Sequence, residues 1–170
     1  MKETLLTVLE NTRLADGIYR LRLAGDTSAI TAPGQFVNLK LSGFFLRRPI
    51  SVCDWENGEV TLIYKVLGHG TEAMTGMAVG TALDVLTGLG NGFDLSRSGE
   101  HPLLVGGGVG IPPLYGLAKR LTAQGKRVTA VLGFNRKSEI FLAEEFRALG
   151  AEVVIATADG SAGIHGLVTD

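Results

Sequence analysis

Three short segments combine residue types suited to holding a nucleotide. The first is Gly106-Gly107-Gly108-Val109-Gly110, followed by Ile111-Pro112-Pro113. Glycines let a backbone approach a pyrophosphate closely, and a helix N-terminus adds free N–H groups and a positive dipole end. The loop departs from the common dinucleotide fingerprint. Ile111 stands at the third glycine position, and no acidic residue closes the next apolar run to take a ribose. A tight strand-to-helix turn in a plain α/β fold is the other reading of the same residues.

The second segment is Arg47-Arg48-Pro49-Ile50-Ser51. An arginine held on a strand can clamp phosphate oxygens in bidentate fashion, and a serine hydroxyl can serve a heteroaromatic nitrogen. Two solvated arginines at a barrel rim are the alternative. The third runs Ile63-Tyr64-Lys65-Val66-Leu67-Gly68-His69-Gly70-Thr71. Here the Gly70 and Thr71 amides would open a short helix and meet an anion, and Tyr64 could stack on a flat ring. A core tyrosine and an ordinary helix cap fit equally. His69, His101 and His165 are scattered without zinc spacing, and neither a nucleophile elbow nor a credible carboxylate pair is visible.

Period-two alternation positions the second and third segments. Tyr19/Leu21/Leu23, Val37/Leu39/Leu41 and Val60/Leu62/Tyr64/Val66 each fall on one face of a half-buried strand. Residues 4–10, 48–53 and 82–87 add further strands. Asp16-Gly17, Pro33-Gly34 and Asn57-Gly58 supply turns, and residues 70–77 read as a short helix. Six such strands predict a small antiparallel barrel over residues 1–97.

From residue 101 the character changes to β-α-β-α-β, with strands at 102–105, 128–134 and 153–157 and helices at 112–124 and 138–149. That order predicts a parallel sheet over 101–170. It supplies only one half of a doubly wound nucleotide domain, so the domain is expected to be partial. An exposed apolar patch is expected where further strands would pack, at the outer edge of the third strand.

The balance of 16 Lys plus Arg against 17 Asp plus Glu gives a net charge of -1, which offers no basic surface for nucleic acid. Apolar residues at 45% and charged residues at 19% describe a soluble globular chain. Its most apolar stretch, 103–118, holds five glycines and two prolines and makes a poor membrane span. Residues 1–4 lead into an alternating segment without a signal-peptide core, so a cytoplasmic location is expected. Cys53 is the single cysteine. It excludes an internal disulfide, a four-cysteine zinc site and an iron–sulfur site built from this chain alone.

Taken in order, Leu46-Arg47-Arg48-Pro49-Ile50-Ser51, Ile63-Tyr64-Lys65 with Gly70-Thr71, and the 106–114 glycine segment resemble the ferredoxin–NADP reductase superfamily over essentially the whole chain. Within it the chain is similar to the electron transfer subunits of class B dihydroorotate dehydrogenase. Thr157-Ala158-Asp159-Gly160-Ser161 and Gly163…Gly166 share that likeness. The resemblance implies an FAD-binding barrel followed by a Rossmann-like domain for NADH. It assigns FAD contacts to Arg48, Pro49, Ile50, Ser51, Ile63, Tyr64, Lys65, Gly70 and Thr71. Ser51 is placed at the flavin edge that receives a hydride, and Gly106, Gly107, Gly108, Val109 and Gly110 are placed on NADH.

The resemblance further implies a partner, the FMN-bearing dihydroorotate dehydrogenase subunit of a heterotetramer in pyrimidine biosynthesis, with no nucleic acid and no membrane. Family members carry four later cysteines for a [2Fe–2S] cluster, and those are absent here, so a shortened chain is expected. A related reductase subunit, of the ferredoxin–NADP reductase or sulfide dehydrogenase type, is the alternative. A non-catalytic docking fragment is a third reading.

Overall fold

The computed structural model describes residues 1–170 and divides into two compact units, Met1–Phe93 and Asp94–Asp170. The division falls four residues before the end of the 1–97 barrel expected from sequence.

The first unit contains β1 (Lys2–Ala15), β2 (Ile18–Gly25), β3 (Phe36–Leu39), β4 (Arg48–Glu56), β5 (Glu59–Lys65), a short helix α1 (His69–Thr75) and β6 (Ala82–Leu89). The six strands close into a barrel in the order β1-β2-β5-β4-β3-β6, with every pair antiparallel. Closure leaves no open sheet edge. The alternating residues Leu21, Leu23, Val37, Leu39, Val60 and Leu62 are all fully buried in its core. At Asn57-Gly58, positive φ values of 52° and 80° give the two-residue hairpin that Asn-Gly favours.

β1 is longer than the predicted 4–10 segment. Register shifts at Val8/Glu10 and Arg13/Ala15 bend it, so Lys2–Thr7 pair with β6 and Leu6–Ala15 with β2. Alternation is interrupted at such bulges, which is why sequence periodicity stopped short.

The second unit contains β7 (Leu103–Gly107), α2 (Pro112–Ala123), β8 (Thr129–Phe134), α3 (Ala143–Ala148), β9 (Glu152–Thr157) and β10 (Ile164–His165). Its sheet is parallel, in the order β10-β9-β8-β7. One expectation needs correction. The helix predicted over 138–149 begins only at Ala143. Residues Lys137–Glu139 form a 3₁₀ turn held by Glu139, which accepts from Asn135 Nδ2 at 2.9 Å and Arg136 Nε at 3.1 Å. Leu142 then takes a left-handed φ of 62°, which no α-helix interior permits. Leu142 and Phe146 are nevertheless buried, and Leu149 is half-buried.

The sheet carries exposed apolar residues at both edges. The outer side of β9 receives the two-residue β10 at Ala156 and Thr157 only, and Ile164 of β10 is 61% exposed. At the other edge β7 has no further neighbour, and Leu103 is 62% and Val105 45% exposed. No helix is long and apolar enough to cross a membrane.

Candidate functional site

Arg48 opens β4, opposite Leu39 of β3. Its guanidinium lies 4.9 Å from the Phe44 ring centroid, and Nη1 donates to the Leu46 carbonyl. No carboxylate pairs with it. Arg47 differs: it is committed to Asp84 and Glu3. Of the two adjacent cations, only Arg48 remains available to an anionic ligand.

Facing Arg48 is Gly70, buried in the first turn of α1. A Cβ on Gly70 would overlap the Arg48 guanidinium, so glycine is required for the close approach. Seven residues make a helix too short to persist alone, and tertiary contacts must hold it. Met74 is fully buried in the barrel core. Asn11 Nδ2 donates to Met74 O at 2.7 Å and more weakly to Thr75 O and Met77 O at 3.3 and 3.4 Å. Tyr64 Oη in turn donates to Asn11 Oδ1 at 3.2 Å. Asn11 therefore caps the C-terminus of α1 from across the barrel wall and fixes the direction of its first turn.

At the other end of α1, the Thr71 hydroxyl accepts from Leu67 N at 2.9 Å and donates to Gly68 O at 3.1 Å. The hydroxyl is used in closing the turn. What Gly70 and Thr71 can offer an anion is their backbone N–H, ahead of the first intrahelical bond from Glu72 N to Gly68 O.

Along β4, Pro49 is exposed and Ile50 packs against the core. Ser51 is half-buried opposite Phe36, and its hydroxyl has no protein partner. Ile63, Tyr64 and Lys65 end β5, with Ile63 buried and Lys65 half-buried. The Tyr64 ring is 1% exposed and stacks on Tyr19 at 5.7 Å and 20°. It is a core residue, not an open platform, and a ligand could meet only its backbone. Burial pushes its phenol up to about 12.

In the second unit, β7 runs out through Gly107 into a 3₁₀ turn, Gly108–Gly110, before α2. Gly108 has φ +50°. A Cβ on Gly106 would sit 2.6 Å from Leu114 Cδ1 and 3.3 Å from Gly110 O, so the turn closes only over glycine.

The helix entrance itself corrects a sequence expectation. Pro112 and Pro113 carry no N–H, Ile111 N is bonded to Gly108 O at 3.1 Å, and Leu114 N to Ile111 O at 3.0 Å. The dipole of α2 remains, but its first turn has no N–H to give. Donors for an anion here must come from the glycine loop itself.

Beyond β9, Asp159 Oδ1 accepts from Ser161 N and Oγ at 2.9 and 2.6 Å, which holds its carboxyl below the usual range. Thr157 Oγ1 donates to Ala162 O at 2.7 Å and accepts from Ala162 N at 3.0 Å. Both loops therefore lie at carboxyl ends of parallel strands, where open α/β sheets bind nucleotides. The site-building residues that sequence reasoning missed are Asn11, Phe44 and Asp84. Their partners lie up to 66 residues away for Asn11, and for Asp84 they are Arg47 and Lys40 at the two ends of the β3–β4 connection, so no local pattern marks them.

A closed barrel with a clamp of this kind, joined in one chain to a parallel sheet with a glycine loop, defines the ferredoxin reductase-like class of FAD- and NAD-binding folds. A solved NADH-dependent reduced ferredoxin–NADP oxidoreductase, studied for flavin-based electron bifurcation, superposes with TM-score 0.87 at 33% identity over 98% of this chain and 61% of that one. Phthalate dioxygenase reductase shares the fold at TM-score 0.79 and 21% identity, over 93% of this chain and 52% of its own. No protein-family profile matches the chain.

Among curated relatives, the electron transfer subunit of dihydroorotate dehydrogenase B (NAD(+)) from Bacillus pumilus is 46% identical over all of this chain and 69% of its own length. That from Fusobacterium nucleatum is 43% identical over 96% of this chain and 66% of its own. The chain belongs to the family of dihydroorotate dehydrogenase B (NAD(+)) electron transfer subunits, a family of oxidoreductase subunits.

Proposed function

We propose that the barrel binds FAD, that the glycine loop admits NADH, and that the chain relays electrons between NADH and an FMN-bearing dihydroorotate dehydrogenase subunit. The single observation that carries the reading is Arg48, a guanidinium without a carboxylate partner that lies where a side chain on Gly70 would stand. Arg48 would neutralise the pyrophosphate, and the Gly70 and Thr71 N–H groups would add donors from the opposite wall. Pro49, Ile50, Ile63, Tyr64 and Lys65 would contribute strand backbone to the same cradle. Ser51, with its unpartnered hydroxyl, would hydrogen-bond the flavin edge.

Bound FAD supplies the redox chemistry, accepting a hydride and releasing single electrons, while the protein supplies orientation and electrostatics. In the second unit Gly106 would let the turn close. The amides of Gly107, Gly108, Val109 and Gly110 would face the NADH pyrophosphate. A [2Fe–2S] cluster does not fit this chain, whose one cysteine, Cys53, is buried. The cluster, the heterotetramer and a cytoplasmic location follow from the family reading. A ferredoxin–NADP reductase-type subunit is the second reading, favoured by the 33% identical structural neighbour.

An ultraviolet–visible spectrum after FAD reconstitution, followed by anaerobic NADH, tests the proposal. A flavin spectrum that bleaches supports both sites, and one that persists removes the NADH assignment. Failure to take up FAD would leave the docking-fragment reading. Co-purification with a dihydroorotate dehydrogenase chain separates the first reading from the second.

A further inference from the structure

We propose that Arg47, which is not itself available to ligand, is a positioning residue that sets the Arg48 guanidinium through the β3–β4 connection. The inference rests on the FAD reading of the barrel and deepens it. Arg47 Nη1 and Nη2 each lie 3.0 Å from Asp84 Oδ1, and Nη2 reaches Oδ2 at 3.1 Å. Nη1 also donates to Asp84 O at 3.2 Å and Asn38 O at 3.4 Å, and Nη2 to Glu3 Oε1 at 2.8 Å. Five acceptor atoms from three strands thus converge on one guanidinium. Such planar, multidentate geometry is what arginine provides and lysine does not.

The consequence lies in what this anchor closes. Asp84 of β6 holds both ends of the connection between β3 and β4. Its carbonyl accepts Lys40 N at 2.9 Å where the chain leaves β3, and its carboxylate takes Arg47 where the chain enters β4. Between those points lie Phe44 and Leu46. They are the two residues that hold the Arg48 guanidinium from its own side, one by its ring face and one by its carbonyl. Leu41 is buried in the core and Phe44 packs against it, but Phe45 is fully exposed and Leu46 is 68% exposed, so the end of the loop that enters β4 leans on the Asp84 tie. Without that tie the Leu46 end would loosen, and its carbonyl would no longer direct Arg48 against Phe44 and toward Gly70. Residue type alone leaves Arg47 and Arg48 alike, and the family resemblance chooses Arg48 without giving Arg47 a role. The structure separates them into one that anchors and one that binds.

The test is a thermodynamic cycle read by FAD affinity, from quenching of flavin fluorescence, together with thermal unfolding of the FAD-free protein. R47M is expected to weaken FAD about tenfold, within the range of coupling between residues in contact. D84N is expected to weaken it by a similar factor. In an R48A background, R47M should add less than about twofold, because its effect passes through Arg48. R47K, which keeps the charge and loses the fork, should resemble R47M. The unfolding temperature reports any general loosening of the barrel. If R47M cost as much affinity with R48A as without it, Arg47 would act through barrel stability and the proposal would fail. An unchanged FAD affinity in R47M would overturn it equally. If wild-type protein itself takes up no FAD, it is the cofactor reading that fails.

Discussion

In the barrel, the candidate phosphate contact is a side-chain cation held by its near neighbours Phe44 and Leu46 and by Gly70, which residues far away in sequence put in place. In the sheet unit it is a run of backbone, Gly106 to Gly110, whose turn closes on Leu114 and Gly110 while Gly106 and Gly107 pair with β8. Arg48 is directed by Phe44 and Leu46 on one side and meets Gly70 on the other. Gly70 in turn is placed by α1, which Asn11 caps from β1. The glycine loop is anchored by backbone alone, through the pairing of Gly106 and Gly107 with Leu132 and Gly133, and Pro112 and Pro113 remove the N–H groups that a helix entrance usually offers. The barrel site is specified by tertiary structure and depends on charge. The loop is specified by local chain stereochemistry and depends on open backbone. Substitutions should therefore act differently in the two places.

The largest effect is expected at Gly70. Its φ is not positive, so Gly70→Ala removes no needed backbone freedom and should favour the helix by up to about 1 kcal/mol. The added methyl nevertheless occupies the place of the Arg48 guanidinium, the flexible partner that must swing away. Loss of one charge-assisted contact costs roughly 1.5–3 kcal/mol, or about 10- to 100-fold in FAD affinity. Stability and cofactor affinity should move in opposite directions. Calorimetry of the FAD-free protein beside an FAD titration checks this, and a tighter FAD complex would remove Arg48 from the site.

Asn11→Ala comes next. It frees the C-terminal carbonyls of α1 and leaves the Tyr64 hydroxyl without its acceptor, at about 1–3 kcal/mol. FAD affinity should fall severalfold alongside the unfolding temperature. Gly70→Ala and Asn11→Ala thus separate direct from scaffold effects within one site. Tyr64 adds a pH signature. Its phenol is raised above the ordinary value to about 12, so the neutral form is the one the fold favours. Its contribution is fully present below pH ~10 and is lost as pH rises through about 12. Tyr64→Phe should flatten that alkaline limb in a pH series of unfolding temperatures, while a limb of unchanged steepness would assign it to other groups.

How far each region could be read from sequence follows the same division. The barrel strands were legible because Leu21/Leu23, Val37/Leu39 and Val60/Leu62 alternate, and the Asn57-Gly58 hairpin because that pair takes positive φ readily. The glycine loop was legible as a strand-to-helix turn. The roles of Asp84 and Asn11 were not, since a polar residue between Leu83 and Val85, or within the polar run from Glu10 to Arg13, reads only as a solvent-facing position. Arg47 and Arg48 looked alike because adjacency in sequence says nothing about which cation already has a carboxylate. Tyr64 could be a platform or a core residue until Tyr19 was placed against it. In the second unit, the 138–149 helix failed at Leu142, where tertiary packing imposes a left-handed residue that helical periodicity would not suggest.

The smallest expected effect discriminates most sharply between the two kinds of site. Pro113→Ala returns one N–H to the first turn of α2, at a position where the helix has no acceptor for it. If the helix entrance were the anion site, a new donor at the positive end of the dipole would strengthen NADH binding, by about 0.3–1 kcal/mol from the dipole-directed charge interaction alone and more for a formed hydrogen bond. If the loop amides of Gly107 to Gly110 provide the contact, Pro113→Ala should change NADH affinity by less than about twofold, within what surface substitutions usually cause. Gly106→Ala should weaken it more. Its Cβ meets Leu114 at 2.6 Å and Gly110 O at 3.3 Å and must push the loop outward. Overpacking of that kind costs about 1–3 kcal/mol, and it should lower the stability of the second unit while leaving FAD affinity in the barrel unchanged. An NADH titration of the two variants decides the matter: a gain in Pro113→Ala with no loss in Gly106→Ala would move the nucleotide from the loop to the helix.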